Sequence, residues 1–210
     1  MYDFISGLVG MEMEEIVSAL EGTPYDIKEG VEEYKVTGNF SFVDIALEKK
    51  MFERVVEKLE KRREKELKTF KNYLQVFIDS LDLKTMLRGK ADGIDAGTIR
   101  KFLIKFEVER EYEESSDMNE FLERLKETRY SYLIDEVREG SDLTEVENKI
   151  EDAIFKKGKE ISASEAFGLG PIIGFLVMKE AEIRNIRAIY RAKEAGLPPE
   201  EIRKLVFVYG

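Results

Sequence analysis

Residues 170–206 read GPIIGFLVMKEAEIRNIRAIYRAKEAGLPPEEIRKLV, and an earlier stretch repeats them in looser form. Asp82 to Leu103, DLKTMLRGKADGIDAGTIRKFL, lies without a gap under Asn185 to Val206. Arg88, Lys90, Gly93, Ile99, Arg100 and Lys101 then fall on Arg191, Lys193, Gly196, Ile202, Arg203 and Lys204. In both copies apolar residues at i, i+3 and i+4 (Leu83, Met86, Leu87; Ile186, Ile189, Tyr190) mark a helix that packs one face. Gly93 and Gly196 sit where a left-handed glycine ends such a helix. A second helix follows at once, capped by Asp95 in one copy and opened by Pro199, Glu200 and Glu201 in the other. Two helices joined by a tight turn are the repeated unit.

Upstream of this unit, Leu20, Thr23 and Tyr25 are answered by Leu125, Thr128 and Tyr130, with the spacing slipped by a short loop difference. Met11 to Leu20 reads as a short amphipathic helix broken at Gly22 and Pro24. Tyr34 to Phe42 reads as a loop, since its few β-favouring residues run into Gly38 and Asn39. From Phe42 to Leu87 the pattern is helical without interruption, with Leu47, Met51, Val55 and Leu59 as its stripe. The second copy is broken by GLGP at 168–171, so a bend is expected in the first copy near Lys65 to Lys71. Glu107 to Glu123 is acidic and rich in Ser and Asp, and reads as a linker plus the cap of the next helix. The expected organisation is all-α: two similar helical repeats, residues 1–108 and 109–210.

Composition narrows the function. With 44 acidic and 34 basic residues the net charge is −10, which disfavours a nucleic-acid partner. No Cys and no His are present, so thiolate and imidazole metal sites, disulfides and the commonest general base are excluded. Carboxylate pairs such as Glu12 with Glu15 lack the Glu-x-x-His element of a di-metal bundle site. The GLGPIIG segment lacks the Lys-Ser/Thr ending of a phosphate-binding loop. The expectation is no catalytic residues, no cofactor and no metal. Abundant Glu and Lys fit a protein from a hot environment and fit a helix-rich protein equally. The N-terminal segment has no basic n-region and is not read as a signal peptide. The apolar run from Ala166 to Met178 is shorter than the roughly 20 residues of a membrane span and is expected to be a buried core segment.

The charged residues of the repeated helix are the candidate interface positions. Asp79 and Lys90, with Glu182 and Lys193 in the second copy, project on the apolar side, too far apart to pair within one helix. Each has to meet a neighbouring helix, water or another protein. Lys84 and Arg88, matched by Arg187 and Arg191, form a basic ridge suited to carboxylates of a partner. Local ion pairs, for instance Glu180 and Glu182 with Arg184 and Arg187, are the alternative.

The segment MKEAEIRNIRAIYRAKEAGLPPEEIRKL resembles the C-terminal signature of the C subunits of archaeal and bacterial V-type (A-type) ATP synthases, related to the d subunits of vacuolar ATPases. The likeness runs through Lys179, Glu180, Glu182, Asn185, Arg187, Lys193, Gly196, Leu197, Pro198 and Ile202. IDSLDLKTMLRGKADGI resembles the same family's internal repeat, and LEGTPY and LKETRY its Thr-x-Tyr element. The resemblance implies a funnel of three similar helical domains on the cytoplasmic mouth of the membrane rotor ring, receiving the central shaft. It implies a non-catalytic central-stalk role in torque transmission, and membrane contact only through the ring. This sequence carries two repeats, matching the family's second and third. A shortened, free-standing helical adaptor or assembly factor is therefore the alternative. Asp79, Asp82, Glu182, Asn185 and the basic ridges are the positions expected to shape the repeat or touch the ring.

Overall fold

The computed structural model describes residues 6–61, 66–164 and 168–206. Among them helices and turns account for all regular structure. The helices are α1 (Met13–Leu20), α2 (Lys28–Thr37), α3 (Ser41–Glu60), α4 (Glu66–Ala91) and α5 (Ala96–Ile99, continued by a 3₁₀ turn, Arg100–Phe102). They continue as α6 (Glu109–Glu114), α7 (Met118–Leu125), α8 (Ser131–Ile134), α9 (Leu143–Ser164), α10 (Gly170–Glu194) and α11 (Pro199–Lys204).

The expected helix ends are built from the expected residues. Gly93 and Gly196 have φ of 69° and 73°, a left-handed conformation that costs glycine least. Around each the backbone closes identically: Ile94 N–H donates to Gly89 C=O as Leu197 N–H does to Ala192 C=O, both at 2.8–2.9 Å. Asp95 caps α5 by accepting from the Thr98 N–H at 3.0 Å. Thr23 and Thr128 play one role, each hydroxyl donating to a carbonyl three residues back (Leu20, Leu125) and accepting from the N–H of the following tyrosine.

Several expectations are corrected. Tyr34 to Thr37 is not loop but the end of α2, whose Val31 stripe buries against α3; the break is confined to Gly38–Phe40. The long helix of the first copy is two helices, α3 ending at Glu60 and α4 running unbroken from Glu66, so the interruption precedes most of the expected bend. Lys65 lies outside the described residues. The acidic segment does contain a cap, Asp117 accepting from Glu120 N–H, but it is not a linker. α6 lies within it, and Tyr112 of α6 is fully buried with its hydroxyl donating to Ile94 C=O at 2.8 Å. Ala166 is outside the described residues; of the apolar run beyond it, Ile173 and Val177 are buried, but Ile172, Phe175, Leu176 and Met178 are exposed. One face of that segment is core and the other is surface.

The main core runs across residue 108. Leu83, Met86 and Leu87 of α4 meet Phe121 and Leu125 of α7, Leu133 of α8 and Val146 and Ile150 of α9, joined by Ile99 and Tyr112. A smaller cluster, Leu20, Ile27, Val31 and Val43, belongs to α1–α3. A third, Tyr73, Ile161, Ile173 and Val177, joins α4, α9 and α10. α9 is thus held between α4 and α10, whereas α3 packs chiefly on α2.

Asp82 locks the end of the 3₁₀ turn onto α4. Its two carboxylate oxygens accept from the N–H groups of Ile104 (2.7 Å) and Lys105 (2.8 Å). Burial nevertheless lifts its pKa from 3.8 to about 7, outweighing the two hydrogen bonds.

Two outcomes follow from this packing. A Cβ at Gly30 would stand 2.5 Å from the backbone oxygen of Phe42, which cannot swing aside. Gly30→Ala is expected to cost about 1–3 kcal/mol in urea denaturation followed by far-UV circular dichroism. Because the folded state keeps a proton on Asp82 that the unfolded chain releases, this group's stabilisation is present at low pH and lost as pH rises from about 4 to about 7. Denaturation of wild type and Asp82→Asn across that range is expected to show the difference between them changing by up to about 1.4 kcal/mol per pH unit, then levelling off.

Candidate functional site

α4, α9 and α10 line an open cleft of about 700 Å³. Its walls carry both basic ridges, Lys84 and Arg88 from α4 and Arg187 and Arg191 from α10, facing Glu147 and Glu151 of α9. Helical spacing explains the arrangement. Residues four apart share a face, so each ridge is a pair of cations one turn apart and the acids of α9 repeat the same interval.

The first ridge is satisfied within the chain. Lys84 pairs with Glu151, both largely withdrawn from solvent, and Arg88 Nε donates to Glu147 at 2.5 Å. That hydrogen bond raises the pKa of Arg88 further. Glu151 also receives Arg184 at 3.2 Å, and Arg184 donates to Asn148 at 3.0 Å.

Asp79 and Lys90 meet neighbouring segments of the same chain. Asp79 is buried and accepts from Arg129 (2.5 Å), Gln75 (2.7 Å) and Tyr132 (3.4 Å). Burial raises its pKa and the Arg129 guanidinium opposes that shift. Lys90 donates to the Ser115 carbonyl at 2.7 Å and lies 4.2 Å from the centroid of the Tyr112 ring; burial lowers its pKa.

The second copy is arranged differently. Glu182 is exposed and pairs with Lys179 at 2.6 Å on its own helix, not with Arg187. Asn185 is half-buried. Arg187, Arg191 and Lys193 are exposed, and none has an ion-pair partner among the described residues. Beside them Ile183, Ile186 and Tyr190 are exposed, although their equivalents on α4 include the buried Leu83 and Leu87.

The nine candidate positions therefore divide. Asp79, Lys84, Arg88 and Lys90 are tied into the fold, Glu182 pairs on its own helix, Asn185 is half-buried, and Arg187, Arg191 and Lys193 are exposed, the first two along the cleft. Sequence reasoning missed Glu147 and Arg129 as partners. The four-residue interval from Glu147 to Glu151, equal to that from Lys84 to Arg88, is the signal that could have found the first. Arg129 carries no such signal, because only the turn after α7 brings it to Asp79. Among the described residues no group of three or more Asp, Glu, His or Cys side chains could hold a metal ion. None of the described helices is long and apolar enough to cross a membrane.

The chain is similar to the C subunit of the A-type ATP synthase of Methanocaldococcus jannaschii, 32% identical over 206 residues that cover 92% of this chain and 51% of that protein. It is 30% identical to the C subunit of the A-type ATP synthase of Thermococcus kodakarensis, covering 92% of this chain and 54% of the relative. The counterpart from Methanothermobacter thermautotrophicus is 27% identical, over 98% of this chain and 57% of the relative. The chain spans about half the length of these relatives. No solved structure matches it. Residues 6–205 match the family described as ATP synthase (C/AC39) subunit. With nearly the whole helical chain inside that match, the protein belongs to the ATP synthase (C/AC39) subunit family.

Proposed function

We propose that this chain is a non-catalytic central-stalk subunit of a rotary A/V-type ATP synthase, linking the central shaft to the membrane rotor ring and transmitting torque between them. The observation that carries the reading is the family match from residue 6 to 205, joined by relatives named as C subunits of A-type ATP synthases. The physical design supports it. α4, α9 and α10 have 26, 22 and 25 residues. At about 1.5 Å per residue these are rods of roughly 33–39 Å. They are cross-braced by apolar packing and by the Lys84–Glu151, Arg88–Glu147 and Arg184–Glu151 pairs, so a load applied to one helix is passed to the others.

In this reading residues 1–108 and 109–210 are two similar repeat units. Asp79, Lys84, Arg88 and Lys90 keep their shape, and the open face of α10 is offered to another protein. The subunit is peripheral to the membrane on the cytoplasmic side and reaches it only through the ring. The sequence supplies no His or Cys for chemistry, in keeping with a mechanical role.

Native mass spectrometry of the chain mixed with the detergent-solubilised rotor ring and central-shaft subunits is the test. The expected result is a complex containing chain, ring and shaft, with no ATP hydrolysis by the chain alone. Absence of binding to both ring and shaft by the folded chain would overturn the stalk role in favour of the free-standing adaptor. Tight ATP binding in calorimetry would sink the non-catalytic assignment.

A further inference from the structure

Asp79 and Asp82 stand one turn apart on α4, only 3% and 2% exposed. Together they hold the segment that leaves the 3₁₀ turn. Asp82 accepts from the N–H groups of Ile104 and Lys105, and the Lys105 ammonium donates to Gln75, which itself donates to Asp79. Arg129 closes the set from the other side, pairing with Asp79 at 2.5 Å and with Glu107 at 2.8 Å. Residues 104–107 are thus fastened to α4 and to the turn after α7 by one connected group of polar contacts.

α2 and α3 hang on that fastening. Lys49 of α3 donates to the carbonyls of Arg100 and Lys101 at 3.3 and 2.9 Å, Lys101 pairs with Glu33 of α2 at 2.7 Å, and the ring centroids of Phe42 and Phe102 are 4.4 Å apart. All of these grips fall on residues 100–102, just before the two N–H groups that Asp82 holds. Farther along α3, Phe52 meets Phe77 of α4 directly, so a loosened turn shifts α2 and the start of α3 and leaves the end of α3 in place.

The charges around the pair leave it short of positive partners. The carboxylates of Asp79, Asp82 and Glu107 are set against the Arg129 guanidinium, while Lys105 is engaged by Gln75 and Lys49 by backbone carbonyls. Burial disfavours the charge on Lys49, against the pull of Asp82, Glu29 and Glu53. The hydroxyls of Tyr130 and Tyr132 also face Asp79, and burial raises both, Tyr130 to about 12, so neither titrates near neutrality. Two buried carboxylates one turn apart are costly to ionise together, and burial raises both, Asp82 to about 7. We propose that Asp79 and Asp82 form a proton-operated clasp: a proton held on the pair keeps residues 104–107 seated on α4, and its release to solvent lets that segment lift, loosening α2 and the start of α3. Once the segment lifts, water reaches Asp82 and its pKa falls back toward 3.8. The seated state therefore binds the proton more tightly, and the clasp is firmest below about pH 4, weakens up to about pH 7 and changes no further above it. This is independent of the stalk role, which is read by binding.

The test joins two measurements on the whole chain. Carboxyl-carbon NMR of the wild type reads the proton on Asp82 directly. Pulsed electron paramagnetic resonance reads the distance between spin labels at Val36→Cys on α2 and Glu127→Cys after α7, both exposed positions in a chain without Cys of its own. Asp82 is expected to titrate close to neutrality. The label distances are expected to be narrowly distributed at about pH 5 and to gain a second population by about pH 8, its ratio to the first rising by up to about tenfold per pH unit through the titration. In an Asp82→Asn background the distribution is expected to be indifferent to pH, whichever state that variant favours. An Asp82 carboxyl that titrates in the ordinary carboxylate range overturns the proposal, and that reading stands whether or not the variant folds. A wild-type distribution unchanged between about pH 5 and 8 overturns it as well, as does a pH response that survives Asp82→Asn.

Discussion

Burial of Leu83, Met86 and Leu87 beneath α7, α8 and α9 governs how the helices from α4 onward are placed. Fully burying such a side chain stabilises by about 1.5–3 kcal/mol, so this one face is worth several kcal/mol before its neighbours are counted. It also fixes geometry. With α4 held against α9, α10 can lie along the other side of α9, and the cleft between the three helices follows. The same contact brings Arg129 to Asp79 and Ser115 to Lys90. The electrostatic contacts are consequences of the apolar seam.

That order matters for reading the charges. A cation on an apolar helix face can be a structural tie or a docking contact, and the residue type does not distinguish them. Lys84 and Arg187 occupy equivalent positions, yet one is bound to Glu151 and the other faces solvent. What differs is whether a module of the α7–α9 kind lies over the helix. The chain belongs to the ATP synthase (C/AC39) subunit family, and under the proposed function the exposed cations of α10 are the ones offered to another protein.

Much of the local design is legible in the residues. The duplicated helix–turn–helix, the left-handed glycines at 93 and 196, the Asp95 cap and the all-α class rest on i, i+3, i+4 periodicity and on backbone chemistry within a few residues. The misreadings share one cause. Tyr34–Thr37 carries weak helical signal and is helical because Val31 and its neighbours pack on α3. The acidic stretch around Tyr112 has a linker's composition, but a single aromatic anchors it in the core. The run at 168–178 is apolar on all sides, and composition cannot say which side is covered.

Residue order alone sets the glycine-ended turns at 93 and 196, the Asp95 cap and the recurrence of one residue pattern, because hydrogen bonds between residues up to four or five apart decide such local features. Packing of the helices against one another decides which copy of the repeated face is buried and which is open. It also decides which cations are paired, and that the core runs across residue 108. Those properties depend on which segments, tens of residues apart, come into contact, and two helices of similar sequence acquire different roles when only one of them is covered.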